Sequence, residues 1–192
     1  MTELQGRGYL LAHCANYLRD NVSPDEWKRI QSGFSPELQQ LLAGKVKHAE
    51  WYRISLLNEI TGQIVDVVGK RNDDRSREAL HICGRYVARE ATNTFLKLLM
   101  KLLNPGIFAK KLPDIFSRDF SSGRMTVEMN GRTLTARIFD APGFNHGIVT
   151  STGFVATAIE AMGKKVEKFN VHDWSVDRPN VDGCGFDMTW RD

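Results

Sequence analysis

The sequence has few of the features that identify membrane, secreted or nucleic-acid-binding proteins. No apolar run approaches the roughly 20 residues that a membrane-spanning helix needs. The first residues, MTELQGRGYLL, carry an acidic residue early and lack a long apolar stretch, so they do not match a secretory signal. Lys and Arg number 26 against 23 Asp and Glu. The resulting net charge of +3 is too small to indicate nucleic-acid binding.

Cysteine is scarce as well. The three cysteines, Cys14, Cys83 and Cys184, are widely spaced and odd in number, so they do not form a disulfide framework. This favours a reducing compartment, and we expect a cytoplasmic protein. A chain of 192 residues is long enough to bury a sizeable core. We expect residues 1–192 to form one domain, with a helical part over 1–120 and a sheet part over 121–192.

Signatures of catalysis and metal binding are missing. The sequence has no Gly-x-Ser-x-Gly elbow and no Cys-x-x-Cys pair. His81 and Cys83 resemble half a metal site, but residues two apart on a helix point about 200° away from each other. Zinc needs three or four convergent ligands, whereas the other histidines and cysteines are scattered. We therefore predict no catalytic residue, no metal ligand and no enzymatic activity. A metal site assembled only in three dimensions stays open.

Helical periodicity covers the first 120 residues. Apolar residues at three- and four-residue steps predict helices over 8–20, 50–68 and 76–103. Ser23-Pro24 and Ser35-Pro36 each predict the start of a short helix, with Ser23 and Glu26 placed for a capping box. A connecting helix is expected over 107–117.

The end of the third periodic helix, FLKLLMKLLNPG, is apolar around most of its circumference. The core of one domain usually covers only a stripe of a helix. We therefore predict an interface at Phe95, Leu99, Leu102 and Leu103, used by a homodimer or by another protein partner. The alternative is full burial of this end under the connecting helix.

The period changes from 3.6 to 2 after residue 120. The stretch RMTVEMNGRTLTARIFD predicts a hairpin with a type I′ turn at Asn130-Gly131. A helix over 146–162, a strand in VEKFNVHDW and a last strand follow, the last with Cys184, Phe186, Met188 and Trp190 on one face. The order predicts an α+β fold, in which N-terminal helices pack on a C-terminal antiparallel sheet with strand-strand-helix-strand-strand order.

Five stretches carry a family resemblance: ICGRYVARE, FLKLLMKLLNPG, IFDAPGF, GIVTSTGFVATAIEAMGKK and DGCGFDMTW. Together they resemble the superfamily that joins haem nitric-oxide/oxygen-binding domains, vinyl-4-reductase small-ligand domains and the Bet-type subunits of the TRAPP tethering complex. Over its whole length the chain is also similar to a myxobacterial paralogous family, through EWYR at 50–53 and Gly84-Arg85. The resemblance implies a bacterial regulatory or signalling domain with an apolar chamber between helices and sheet.

The chain departs from this superfamily where haem would bind. Haem-binding members carry Tyr-x-Ser-x-Arg just before a Pro-Gly, and these side chains hold the haem propionates. Aligning on Pro142-Gly143 places Arg137, Phe139 and Ala141 at those positions. The segment that should supply the proximal histidine, KLPDIFSRDF, contains none. The resemblance without these residues implies a domain that binds no haem, and we expect no cofactor.

These observations lead to one functional hypothesis and one alternative. We expect a non-catalytic regulatory or sensory domain that binds a small apolar ligand or a protein partner. The alternative is a protein-interaction or assembly subunit that acts through a dimer interface and binds no ligand. The ligand pocket would be the apolar chamber between helices and sheet, and its candidate lining residues are Trp51, Ile54, Cys83, Val87 and Phe139. The competing possibility is that these side chains simply fill the space at normal packing density.

Overall fold

The computed structural model describes residues 3–91, 103–179 and 182–192. It confirms the α+β fold: helices dominate the first 120 residues, and the predicted strand-strand-helix-strand-strand order follows. The helices are α1 Gly8–Asp20, α2 Pro24–Ser32, α3 Pro36–Ala43, α4 Ile54–Gln63, α5 Asp73–Ala91, α6 Pro105–Asp119 and α7 Gly147–Ala161. The strands are β1 Gln5–Arg7, β2 Trp51–Arg53, β3 Arg124–Asn130, β4 Thr133–Phe139, β5 Lys165–His172 and β6 Gly185–Arg191.

The helix starts follow the predicted capping residues. Ser23 accepts a hydrogen bond from the Glu26 backbone N–H, and the Glu26 carboxylate accepts one from the Ser23 N–H, which is a complete capping box. Asn104 is the N-cap of α6, because its Oδ1 accepts a hydrogen bond from the Ile107 N–H at 2.9 Å. The described part of the predicted long helix is α5, and residues 92–102 lie outside the described residues.

The predicted helix over 50–68 is wrong at its start but ends at Val68 as predicted. Trp51–Arg53 forms β2, which pairs antiparallel with β1 through Gln5 and Arg53. A strand of three residues is too short to leave a period-2 pattern in the sequence. The helical spacing of the apolar residues in α4 therefore predicted a helix over this strand as well. Residues Ile64–Val68 form a π-helical turn, closed by the Gly69 N–H donating to the Ile64 carbonyl at 2.9 Å.

The four C-terminal strands form one antiparallel sheet in the order β3-β4-β6-β5. The β3–β4 hairpin is confirmed, but its two-residue loop is Gly131-Arg132, between the paired residues Asn130 and Thr133. Only Gly131 of these two has a positive φ, at +60°. Those signs fit a type II′ turn, so the predicted type I′ turn at Asn130-Gly131 is shifted by one residue.

One cluster of buried apolar side chains joins the helical part to the sheet. Helix α7 packs against β5 and β6 on one side and against α5 on the other, and α5 in turn packs against α1. The α7 helix is therefore the layer that connects the sheet to the remaining helices. Fully buried members of the cluster from both parts include Leu18, Leu80, Ile148, Ile159, Phe186 and Met188.

Helices α5 and α7 meet in backbone contact at two glycines. A Cβ atom on Gly84 would lie 2.8 Å from the carbonyl carbon of Thr150 and closer still to its oxygen. A Cβ atom on Gly153 would lie 2.6 Å from the Arg85 backbone nitrogen and would overlap the His81 carbonyl oxygen. Neither position has room for a larger residue, because the atoms in the way belong to backbone that cannot rotate aside.

We expect Gly84→Ala to destabilise the protein by about 3 kcal/mol, because the helices must separate to admit one methyl group. Gly62→Ala is the matched control: Gly62 also lies in a helix, and its Cβ would meet no atom within 4 Å. The control should stabilise the protein by about 0.5–1 kcal/mol through helix propensity. Urea unfolding of the wild type and both variants measures the difference, and equal midpoints for the two variants would contradict the close crossing.

His81 lies beside this crossing. Its side chain is only 6% exposed, and its Nδ1 is 2.8 Å from the Thr152 hydroxyl on α7. The ring stacks on Phe169 of β5 with centroids 4.1 Å apart. Burial, with a smaller effect of the Arg85 charge, lowers the pKa of His81 to about 4. Burial also lowers the pKa of His146, which precedes α7, to about 4.

We expect stability to fall as the pH drops from about 6.5 towards about 4. The folded protein keeps His81 neutral down to about pH 4, whereas the unfolded chain protonates it near pH 6.5. The unfolded state therefore binds more protons in this window, and acid favours unfolding. His81 alone should remove about 2 kcal/mol between pH 7 and pH 5.

Urea unfolding at pH 7 and pH 5 measures this loss. The difference between the two pH values should shrink in His81→Gln and, independently, in His146→Gln. Wild-type protein that is equally stable at both pH values would show that these buried rings are not kept neutral.

Candidate functional site

A partly open cavity of about 70 Å³ lies between α1, α5, α6 and α7. Helix α4 and strand β3 each contribute one residue to its wall, so the cavity reaches from the helical part to the sheet. Most wall atoms are carbon. The described lining residues are Tyr9, Leu10, Cys14, Leu57, Gly84, Val87, Leu112, Ile115, Phe116, Asp119, Phe120, Met125, Gly147, Thr150, Ser151, Phe154 and Val155.

Val87 is the one sequence-predicted pocket residue among these lining residues. Cys83 is fully buried behind the wall, where it contacts the lining residue Cys14. Ile54 is 4% exposed and packs in the core. Trp51 lies on β2 at the surface, with the Arg7 guanidinium 3.8 Å above its ring.

Phe139 is the fifth predicted pocket residue. It is half-buried at the end of β4, and the Arg124 guanidinium lies 4.3 Å from its ring centroid. The structure therefore brings Val87 to the cavity and Cys83 to the layer behind it, and it leaves Trp51, Ile54 and Phe139 off the described wall.

Sequence reasoning missed the contributions of α6 and α7. The stretch KLPDIFSRDF carries Leu112, Phe116 and Asp119 at three- and four-residue steps, and all three face the cavity. This spacing was visible in the sequence, with a lone carboxylate at the end of an apolar stripe. The prediction from KLPDIFSRDF rested only on its missing histidine.

The predicted interface lies mostly beyond what the structure describes. Phe95, Leu99 and Leu102 are outside the described residues, and Leu103 is half-buried. The homodimer therefore stays a prediction.

One end of the cavity carries a hydrogen-bonded chain of three side chains. The Tyr9 hydroxyl donates to Asp119 Oδ2 at 2.8 Å, and the Arg118 guanidinium donates to both carboxylate oxygens of Asp119, each at 2.8 Å. Asp119 is 5% exposed, whereas more than half of the Arg118 side chain is exposed. A two-point Arg–carboxylate pair thus closes this end of the cavity against solvent.

The same interactions fix the protonation state of Tyr9. Burial, followed by the charge and the hydrogen bond of Asp119, raises the pKa of the Tyr9 phenol far above its usual range. The hydrogen bond to Asp119 raises the pKa of Arg118 as well. Tyr9 is therefore a neutral phenol at physiological pH, with its proton directed at the carboxylate.

Helix α7 contributes two hydroxyl-bearing residues to the cavity wall, and both hydroxyls already donate hydrogen bonds within the protein. Thr150 Oγ1 donates to the Gly147 carbonyl at 2.9 Å, and Ser151 Oγ donates to the same carbonyl at 2.8 Å. Hydroxyls that bond to the preceding turn of their own helix present oxygen lone pairs outwards.

Two thiols meet at the wall between α1 and α5. The Sγ atoms of Cys14 and Cys83 are 3.6 Å apart, and both residues are buried. Burial, strengthened by the Cys14 contact, raises the pKa of the Cys83 thiol. Burial also raises the pKa of Cys184 to about 11. The Cys83 and Cys184 thiols are therefore protonated and poorly nucleophilic at neutral pH.

The residues of the cavity do not fit haem. Among the described lining residues there is no histidine, and none is a lysine or arginine that would hold propionates. Tyr and Cys are also ligand types for haem iron, but the two lining residues of these types interact elsewhere: Tyr9 donates to Asp119, and Cys14 contacts Cys83. A space of about 70 Å³ is also far below the roughly 300–1,000 Å³ of drug-sized ligand pockets.

The residues aligned with the propionate clamp confirm this mismatch. Arg137 is exposed on β4, and its guanidinium donates to the Gly183 carbonyl at 3.3 Å. Ala141 is buried and has no polar side-chain atom. Arg137, Phe139 and Ala141 are all absent from the described cavity wall.

The described residues form neither a metal site nor a membrane-spanning helix. Within residues 3–91, 103–179 and 182–192, no group of three or more His, Cys, Asp or Glu side chains is placed to hold a metal ion. Over the same described ranges, no helix combines the length and the apolar character needed to cross a membrane.

The chain is similar to solved structures of H-NOX proteins over nearly its whole length. The iron(II) unliganded H-NOX protein from K. algicida has a TM-score of 0.68 and 12% sequence identity, with 97% of each chain covered. An H-NOX domain variant from Shewanella oneidensis, solved in an Fe(II)CO state, has a TM-score of 0.63 and 10% identity, with 97% of this chain and 99% of that chain covered. A T. tengcongensis H-NOX variant has a TM-score of 0.61 at 10% identity, with coverages of 97% and 98%.

Sequence comparison adds no relative to these structures. No family model matches the chain, and no curated protein does. The resemblance to the myxobacterial paralogous family gains no support from them. At sequence identities of 10–12%, the structural similarity supports the assignment of the fold alone. The chain therefore has the fold of H-NOX domains.

Proposed function

We propose that this chain is a non-catalytic sensory domain that binds a small apolar ligand in the cavity between α1, α5, α6 and α7, without haem. The H-NOX-like fold supports a sensory, ligand-binding role, because the similar solved proteins include iron(II) and CO-bound H-NOX domains. The observation that carries the proposal is the cavity itself: a carbon-lined space at the junction of helices and sheet, closed at one end by Tyr9 and Asp119.

The size of the cavity limits the ligand. A cavity of about 150 Å³ is enough to bind benzene or xenon. The space here is about 70 Å³ and partly open, so it suits a molecule of a few heavy atoms, with any longer part emerging at the open side. Such a ligand would gain its affinity from leaving water for a wall of carbon atoms.

Xenon is a suitable first probe because it is small, apolar and unreactive. In amide-resolved NMR spectra under xenon pressure, we expect shifts at Gly84 and Thr150, which border the cavity. Ser151→Leu should abolish the shifts, because the leucine side chain occupies the space.

Thr157→Leu is the matched control for this variant. Thr157 lies on the same helix, its hydroxyl donates to the Gly153 carbonyl as Ser151 does to Gly147, and it is not among the lining residues. The control should keep the xenon shifts. Absence of shifts in the wild type would remove the ligand-binding proposal, and the protein-interaction alternative would then lead.

We also expect the purified protein to be colourless. After expression with added haem and gel filtration, the protein fraction should show no Soret band, because the described wall offers neither an axial histidine nor a cation for the propionates. A Soret band that follows the protein through the column would contradict the haem-free proposal, while leaving the cavity in place.

A further inference from the structure

The hydroxyl groups that border the cavity have no proton left for a ligand. Tyr9 donates to Asp119, and both Thr150 and Ser151 donate to the Gly147 carbonyl. A hydroxyl has one donor and two acceptor lone pairs, so the Thr150 and Ser151 oxygens can still accept hydrogen bonds. The Tyr9 oxygen also interacts with the Arg118 guanidinium and keeps one lone pair for a ligand. The described polar wall is therefore an acceptor surface.

Tyr9 offers the strongest of these acceptors. Its proton is held by the Asp119 carboxylate at 2.8 Å, and Asp119 is itself held by both donors of the Arg118 fork. A hydroxyl that donates to an anion becomes a better acceptor, because the bonds of a hydrogen-bonded chain polarise one another. Thr150 and Ser151 donate to a neutral carbonyl and lack this effect.

We infer that the cavity selects a neutral, mainly apolar molecule with one hydrogen-bond donor, a hydroxyl or an N–H group, which donates to Tyr9 Oη. This inference rests on the proposed function and names the ligand class of the same cavity. The donor faces the Tyr9–Asp119 end, and the apolar part lies against Leu112, Phe116 and Val155.

Other ligand classes match the wall less well. An anion would meet the Asp119 carboxylate, and the neighbouring cation, Arg118, is already paired with it. An ammonium ion would lose its hydration in a space walled mostly by carbon. An ether or a hydrocarbon would cover the Tyr9 oxygen without bonding to it, which costs the free energy of one hydrogen bond.

The test uses two isomers that differ in the donor, 1-butanol and methyl propyl ether, together with butyrate as the anion. Each is titrated into 15N-labelled full-length protein, and the dissociation constant is taken from the amide shifts of Gly84 and Ser151. We expect 1-butanol to bind about fivefold more tightly than the ether, as one net hydrogen bond predicts. Butyrate should bind more weakly than either.

Tyr9→Phe keeps the ring and removes the acceptor. In this variant 1-butanol should bind no more tightly than the ether, and the affinity for the ether should be unchanged. Tyr52→Phe is the matched control, because its phenol lies off the cavity wall and accepts a bond from the Lys47 N–H. The control should keep the wild-type preference for the alcohol.

The outcomes separate this inference from the proposed function. Equal affinity for 1-butanol and the ether in the wild type, or tighter binding of butyrate, overturns the inference while the cavity keeps its ligand-binding role. An alcohol preference that survives in Tyr9→Phe overturns the assignment to Tyr9. If that variant fails to fold, the wild-type order of the three probes decides. No binding of any probe, together with no xenon shifts, overturns the proposed function.

Discussion

The backbone contact between α5 and α7 is the constraint on which the rest of the structure depends. At Gly84 and Gly153 the two helices approach too closely for any Cβ atom. The contact holds α7 between the sheet and the helical part, and His81 strengthens it by bonding to Thr152 and stacking on Phe169. The Arg85–Glu160 ion pair joins the same two helices further along. The cavity begins directly beside this contact, since Gly84 lines it.

Local signals in the sequence were enough for most of the fold. Ser23 and Glu26 predicted a helix start, the change of period near residue 120 predicted the sheet, and alternation predicted the buried face of β6. The errors lie where pairing between segments distant in sequence determines the local structure. The β1–β2 pair joins residues almost 50 positions apart over three residues each, which no local pattern records. The hairpin turn lies one residue later than predicted, because strand register, and not turn composition alone, determines its position.

The candidate site was harder to predict, and the reason is physical. A cavity wall is made where several helices converge, so its members share no sequence spacing. Val87 was identified because it belongs to the buried stripe of α5, whereas Tyr9 and Asp119, 110 residues apart, meet only in the folded chain. Phe139 had been placed in the pocket from its position beside Pro142-Gly143, but the guanidinium of Arg124, the residue paired with it on β3, lies over its ring. Apolar character alone does not say which cluster a residue joins.

The empty space in the cavity lowers the stability of the fold, and this loss bears on the function of the cavity. At about 24 cal/mol per Å³ for an enclosed cavity, a partly open space of about 70 Å³ lowers the free energy of unfolding by at most ~2 kcal/mol. That is a sizeable part of the 5–15 kcal/mol that holds a domain folded. A larger side chain at Ser151, which lines the cavity, would fill part of this space. A chain that only needed to fold or to dimerise would gain stability from closing the cavity. The proposed ligand-binding role requires the cavity to stay open, and under this proposal the acceptor oxygens of Tyr9, Thr150 and Ser151 would orient the ligand.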